Sequence, residues 1–171
     1  MNRNEIGSPS WKSVMVTRHL PEKLSGLETL CKNLWWCWND NAKDLFKSID
    51  YNLWHKSGHN PMVILDRVSY KRYLALSQDE EFVARLDAVM QEFNSYMSKK
   101  SERTEPSVGY FCMEYGLDTS LKIYSGGLGI LAGDYIKEAS DMNVNLVAVG
   151  LLYRYGYFTQ KLTPAGNQVA E

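Results

Sequence analysis

The chain has 171 residues, with 19 basic and 20 acidic side chains and a formal net charge of -1. Apolar residues make up 44% and charged residues 23%, which excludes a disordered chain. The near-zero charge excludes a nucleic-acid binder that works through bulk electrostatics.

No stretch approaches the roughly 18 apolar residues of a membrane-spanning helix, and the N-terminal residues lack the apolar core of a signal peptide. Neither a nucleic acid nor a membrane is expected as a partner. Cys31, Cys37 and Cys112 are odd in number and widely spaced, so they predict neither a metal cluster nor a disulfide framework. They fit a reducing cytoplasm.

Two unlike halves meet near residue 104. Residues 1–104 hold all 5 tryptophans, 3 of the 12 glycines, and 15 basic against 13 acidic groups. Residues 105–171 hold the other 9 glycines, with 4 basic against 7 acidic groups. The seam from Ser98 to Ser107 is polar and contains Pro106, as a linker should. The expected division is therefore 1–104 and 105–171.

The first half predicts a helical bundle after an extended lead-in from Ser13 to Arg18. Pro21 suits a first helical position, and Leu24, Leu27, Leu30, Cys31, Leu34, Trp35 and Trp38 follow at helical steps. Asp40 or Asn41 can cap a second helix carrying Ala42, Leu45, Phe46 and Ile49. Asn60-Pro61 is a further cap-and-start signal. Ser77 with Glu80 resembles a capping box that opens the long stripe from Phe82 to Met97. The tryptophans suit a packed core, although aromatic faces can also stack on sugars. His55 and His59 have i,i+4 spacing, but Ser57-Gly58 should break a helix between them, and no carboxylate or cysteine completes a zinc set.

The second half predicts strand, glycine loop, helix, strand. Val108–Met113 is the first strand and Val144–Val149 the second, with a helix marked by Leu128, Leu131, Ala132, Tyr135, Ile136 and Ala139 between them. Such a unit points to a parallel sheet and an α/β fold. A further extended pair is expected at Leu151–Tyr155 and Tyr157–Leu162. Ser125-Gly126-Gly127-Leu128-Gly129 stands at the helix start, where free amides and the helix dipole suit a phosphate or a polyhydroxylated ligand. The alternative is an ordinary tight turn, with Gly133 allowing close packing. Gly127 to Ala132 formally matches a dinucleotide fingerprint, but the strand ends too early and no acidic residue follows at the needed distance.

Three blocks in order carry a family resemblance. Tyr110-Phe111-Cys112-Met113-Glu114-Tyr115-Gly116-Leu117, then Ile123 through Asp134, then Val149 through Gln160, resemble the α-glucan phosphorylases. Asn33 to Asn39 resembles the helical N-terminal region of their short bacterial and archaeal forms. The resemblance implies the first β-α-β elements of a GT-B lobe, preceded by a helical region. It also implies phosphorolysis of terminal α-1,4-linked glucose to glucose 1-phosphate, with inorganic phosphate and α-1,4-glucan as partners and a homo-oligomer as one arrangement.

By position, the amides around Gly126, Gly127 and Gly129 would lie near the phosphates, that of Leu128 would contact the glucosyl unit, and Glu114 would edge the sugar pocket. Pyridoxal phosphate is implied for the full-length enzyme, on a lysine of a second lobe. Lys122, Lys137 and Lys161 do not match that lysine, so the expectation is a fragment that carries no catalytic residue and is inactive alone. Two alternatives stay open. One is a fragment of a glycogen or starch synthase-type glucosyltransferase, although Tyr124 stands where that group carries lysine. The other is a non-catalytic carbohydrate-binding or interaction module built on the tryptophan-rich helices.

Overall fold

The computed structural model describes residues 19–99, 108–156 and 158–170. The lead-in from Ser13 to Arg18, most of the 98–107 seam, and Tyr157 lie outside the described residues. The helical half contains α1 (Gly26–Cys31), α2 (Asp40–Ile49), α3 (Tyr51–Lys56), α4 (Pro61–Arg67), α5 (Tyr70–Gln78) and α6 (Glu80–Ser98). Their inner faces form one core running from Leu24 to Phe93, in which Leu24, Leu27, Leu30, Leu45, Phe46 and Ile64 are fully buried. Trp35, Trp36 and Trp54 lie in this core, Trp36 meeting Phe46 and Trp54 edge-on. The core role expected of the tryptophans is observed for Trp35, Trp36 and Trp54, whereas Trp38 is only partly buried against that core and Trp11 lies outside the described residues. Each fully buried aromatic of this size removes about 150–250 Å² from water.

The local starts differ from expectation in instructive ways. The single helix expected from Pro21 to Trp38 is divided into a 3-10 turn at Glu22–Leu24, then α1, then a 3-10 turn at Leu34–Cys37. Trp35, Trp36 and Cys37 are all buried, and three consecutive side chains cannot share one stripe of a straight α-helix. Asn33 completes the break by accepting the Trp35 amide at 2.9 Å. The cap of α2 is Asn39, one residue before the expected pair, bonding the Ala42 amide at 2.9 Å. Ser77 does not form a capping box. Its hydroxyl donates to the Leu74 carbonyl, while Asp79 caps α6 through the Phe82 amide at 3.1 Å. The Asn60-Pro61 start is found as expected, with Asn60 accepting the Met62 and Val63 amides.

The second half contains β1 (Val108–Phe111), α7 (Gly127–Asp141) and β2 (Leu146–Val149), followed by a hairpin of β3 (Gln160–Leu162) and β4 (Gln168–Ala170). β1 and β2 are parallel, with Val108 opposite Leu146 and Phe111 opposite Val149. They form the expected strand, crossover helix, strand unit. β2 starts two residues later than expected because Asn143 enters the left-handed region (φ 53°) and the Val144 amide still bonds Ala139.

The extended pair expected at 151–155 and 157–162 is replaced. Residues 151–155 form no strand, and β3 pairs antiparallel with β4 instead. The connecting turn has Gly166 at φ 81°, and Thr163 holds the Asn167 amide through its hydroxyl at 3.1 Å. A sheet of so few strands leaves apolar side chains uncovered: Phe111 is 74% exposed, Leu152 86% and Tyr155 88%.

The two halves touch at named atoms. Asp141, the last residue of α7, accepts hydrogen bonds from Trp38 Nε1 at 3.1 Å and Tyr96 OH at 2.7 Å. The Cys37 thiol donates to the Leu117 carbonyl at 3.4 Å.

Candidate functional site: the glycine corner

The corner is built by interlocking glycines. The Gly116 amide donates to the Gly129 carbonyl at 2.7 Å, which ties the exit from β1 to the first turn of α7. A Cβ on Gly133 would stand 2.2 Å from the Gly116 carbonyl oxygen, and one on Gly129 would stand 2.6 Å from Cβ of Tyr124. Both residues are buried. Gly133 therefore lets backbone meet backbone, while Gly129 makes room for the side chains of Tyr124 and Glu114. The packing role foreseen for Gly133 is the one observed.

Gly126 and Gly127 are different. A Cβ on either would meet nothing within 4 Å, and both are exposed, as is Leu128 at 53%. Gly126 is the N-cap of α7, in extended conformation, and no side chain caps this end. The amides of Gly127, Leu128 and Gly129 precede the first intrahelical bond, in which Ile130 donates to the Gly126 carbonyl at 3.1 Å. Gly127 and Leu128 thus stand at the open, positive end of a 15-residue helix.

Glu114 closes the other side. One of its carboxylate oxygens accepts the Ser125 amide at 2.8 Å, so it fixes the residue before the glycines. Its carboxyl carbon lies within 3.3 Å of where a Cβ on Gly129 would stand. The structure thus brings together all five residues singled out from sequence: Glu114, Gly126, Gly127, Leu128 and Gly129. Beside them opens a cavity of about 270 Å³ lined by Tyr124, Ser125, Lys122, Phe158 and Thr159. Sequence patterning placed Ser125 in the glycine loop but missed its bond to Glu114, because a main-chain amide leaves no side-chain signature.

The other ionisable groups of note lie away from this corner. Burial pushes the Cys31 and Cys37 thiols up to about 11, and burial with the nearby Asp141 pushes the Tyr96 hydroxyl up to about 12. The expected break after α3 is present, yet His55 and His59 still meet, with Nδ1 of one 3.1 Å from Nε2 of the other. Gly58 and His59 both adopt positive φ (65° and 63°) and wind the chain back over the helix end.

A profile of the family described as "Protein of unknown function (DUF3417)" matches residues 20–121. The chain belongs to this family. This DUF3417 chain is also 42% identical over 165 residues to the glycogen phosphorylase of Mycobacterium tuberculosis (strain CDC 1551 / Oshkosh). That match covers 90% of the chain and 19% of the relative. It is 44% identical over 157 residues to the maltodextrin phosphorylase of Thermococcus litoralis, covering 88% of the chain and 19% of the relative. For the glycogen phosphorylase of Aquifex aeolicus the identity is 40% over 146 residues, 84% of the chain and 21% of the relative. The match is to the N-terminal portion of a phosphorylase. The DUF3417 chain thus spans about a fifth of the length of these curated relatives. No solved structure matches it.

Chemically, the corner can donate main-chain hydrogen bonds to an oxygen-rich ligand. Main-chain donors carry no titrating proton, and their positions are fixed before any ligand arrives. Among the described residues no helix is long and apolar enough to cross a membrane.

Proposed function

We propose that the chain is the N-terminal part of an α-glucan phosphorylase, which cleaves terminal α-1,4-linked glucose with inorganic phosphate to give glucose 1-phosphate. The observation that carries this is the open, uncapped start of α7 at Gly126 and Gly127, in a chain over 40% identical to glycogen and maltodextrin phosphorylases across most of its length. In this reading, 1–104 is a helical region and 105–171 the beginning of a GT-B lobe.

The chemistry asks for what the corner offers. Phosphorolysis moves an anionic phosphate and builds positive charge on a sugar ring. Rigid donors and a helix dipole stabilise the anion, while the Leu128 amide contacts the glucosyl hydroxyls. Glu114 holds the corner rigid through the Ser125 amide and borders the sugar site. Its carboxylate leaves the Gly127 and Leu128 amides free for ligand, since its hydrogen bond goes to Ser125.

Pyridoxal phosphate belongs to the expected full-length enzyme. A Schiff-base lysine needs a desolvated pocket or a cationic neighbour. Lys122 is exposed and donates to Thr159 at 3.3 Å, and Lys137 Nζ lies 4.0 Å from the Asp134 carboxylate. These lysines do not fit the cofactor.

The test is a chimera. This chain replaces the corresponding segment of the Thermococcus litoralis maltodextrin phosphorylase, and glucose 1-phosphate release from maltodextrin is measured. Retained phosphorolysis, lost when Gly127 is changed to Pro, is the expected result. A folded chimera without activity overturns the assignment, and release of glucose 1-phosphate by the 171-residue chain alone overturns its expected inactivity in isolation. The named relatives favour neither the synthase-type reading nor the non-catalytic module.

A further inference from the structure

A cavity of about 460 Å³ lies in the helical half, within the range of small-molecule sites. Buried Trp36 and Trp54 border it. Its walls come from α2, which contributes Asp40, Lys43, Asp44 and Lys47, from His55 near the end of α3, and from His59 in the turn beyond it. Asp118 closes it from the segment that follows β1.

The charges are balanced. Lys43 is paired with Asp40 at 2.8 Å, and Lys47 lies 3.9 Å from Asp44 and over the Tyr51 ring. A multivalent anion would face three carboxylates, and a cation would face two ammonium groups. Neither sign is selected, so a neutral ligand with many hydroxyls suits the lining better than an ion.

The histidine pair supports the same chemistry. In its neutral form one imidazole donates to the other across 3.1 Å. Whichever tautomer is present, the two outer nitrogens are then one donor and one acceptor. A sugar hydroxyl is also a donor and an acceptor. His59 is held where it is at a cost, because it takes φ 63° without being glycine while its ring stacks on Trp54 at 5.2 Å. Backbone strain of this kind is retained where a side chain has a task.

We infer that this cavity is a second saccharide site, which takes a neutral oligosaccharide of two or three sugar units between the tryptophan edges, the His55–His59 pair and the α2 carboxylates. It lies apart from the glycine corner and does not depend on the corner's role.

Maltotriose is titrated into the 171-residue chain, and the side-chain NMR signals of Trp54, His55 and His59 are followed together with the amides of Gly126 to Gly129. Saturable shifts of the Trp54 and histidine signals are expected. Asp44→Ala and Lys47→Ala are exposed changes that leave the core alone, and each should weaken binding about tenfold through lost hydrogen bonds. His59→Gly suits the positive φ, so it folds, and it should do the same. Absence of any shift at about 50 mM maltotriose overturns the inference. Shifts confined to Gly126–Gly129 overturn it too, as does inorganic phosphate displacing the sugar from the histidine signals.

Discussion

Gly133→Ala isolates the backbone contact on which the corner rests. The added methyl would stand 2.2 Å from the Gly116 carbonyl oxygen and 2.6 Å from its carbon. Both are main-chain atoms, so no rotamer can relieve the clash, and α7 must move away from the 112–118 segment by about 1 Å to restore van der Waals contact. Overpacking of this kind costs about 1–3 kcal/mol, and the Gly116–Gly129 hydrogen bond stands to lose about 1 kcal/mol more. Against this, alanine is better than glycine inside a helix by about 1 kcal/mol.

The clash wins, with a net loss of about 1–3 kcal/mol confined to the second half. Amide hydrogen exchange across 127–141 reads it directly, whereas the core tryptophans Trp35, Trp36 and Trp54 report the helical core, which the change does not touch. Gly127→Ala is the matched control: its methyl meets nothing within 4 Å, and it should be neutral or slightly stabilising. If Gly133→Ala raised protection of α7, as propensity alone would have it, the close approach of the two backbone segments would be refuted.

Three further outcomes are expected. Asp79→Ala should cost about 1 kcal/mol in chemical denaturation through loss of the α6 cap, whereas Ser77→Ala, whose hydroxyl only back-bonds to Leu74, should stay within about 0.5 kcal/mol. Trp36→Ala should destabilise the helical half by about 3–5 kcal/mol, measured by far-ultraviolet circular dichroism against denaturant. Burial raises the Cys31 and Cys37 thiols from 9.0 to about 11, so the folded state holds its protons longer than the unfolded state. Their contribution is therefore complete below pH 9 and lost as pH rises through about 11, and the melting temperature should fall across that window, while both thiols alkylate slowly at pH 8.

Much of the fold was legible because it depends on period. The stripe from Phe82 to Phe93 specifies α6, and the apolar runs at 108–111 and 146–149 specify a parallel pair around an amphipathic crossover. The misreadings came where a local hydrogen bond overrode the pattern. Asn33 stops a helix that the leucine spacing would continue, and Asn39 captures the cap one residue early. α5 was missed because it buries only Tyr73 and Leu76, too thin a stripe to register. The β3–β4 hairpin was misplaced because the signal lay in its turn, where Thr163 and Gly166 act together. At the corner, composition pointed to the glycines, but Gly126, Gly127 and Gly129 look alike in a sequence. Only the packing separates Gly126 and Gly127, which face open space, from Gly129, which faces the Tyr124 and Glu114 side chains, and Gly133, which faces the Gly116 backbone.

That separation also shows how the helical half can bear on the corner without reaching it. α7 is gripped at its far end, where Asp141 receives Trp38 and Tyr96, and at its near end, where Gly129 and Gly133 lock onto Gly116. A rigid helix fixed at both ends presents its first amides in one direction, and directed donors are worth more than free ones because they need no reordering when an anion arrives. The tryptophan-rich bundle therefore contributes to the corner through Trp38 and Tyr96. These two residues convert a stable core of aromatic side chains into a fixed aim for the main-chain groups at Gly127 and Leu128.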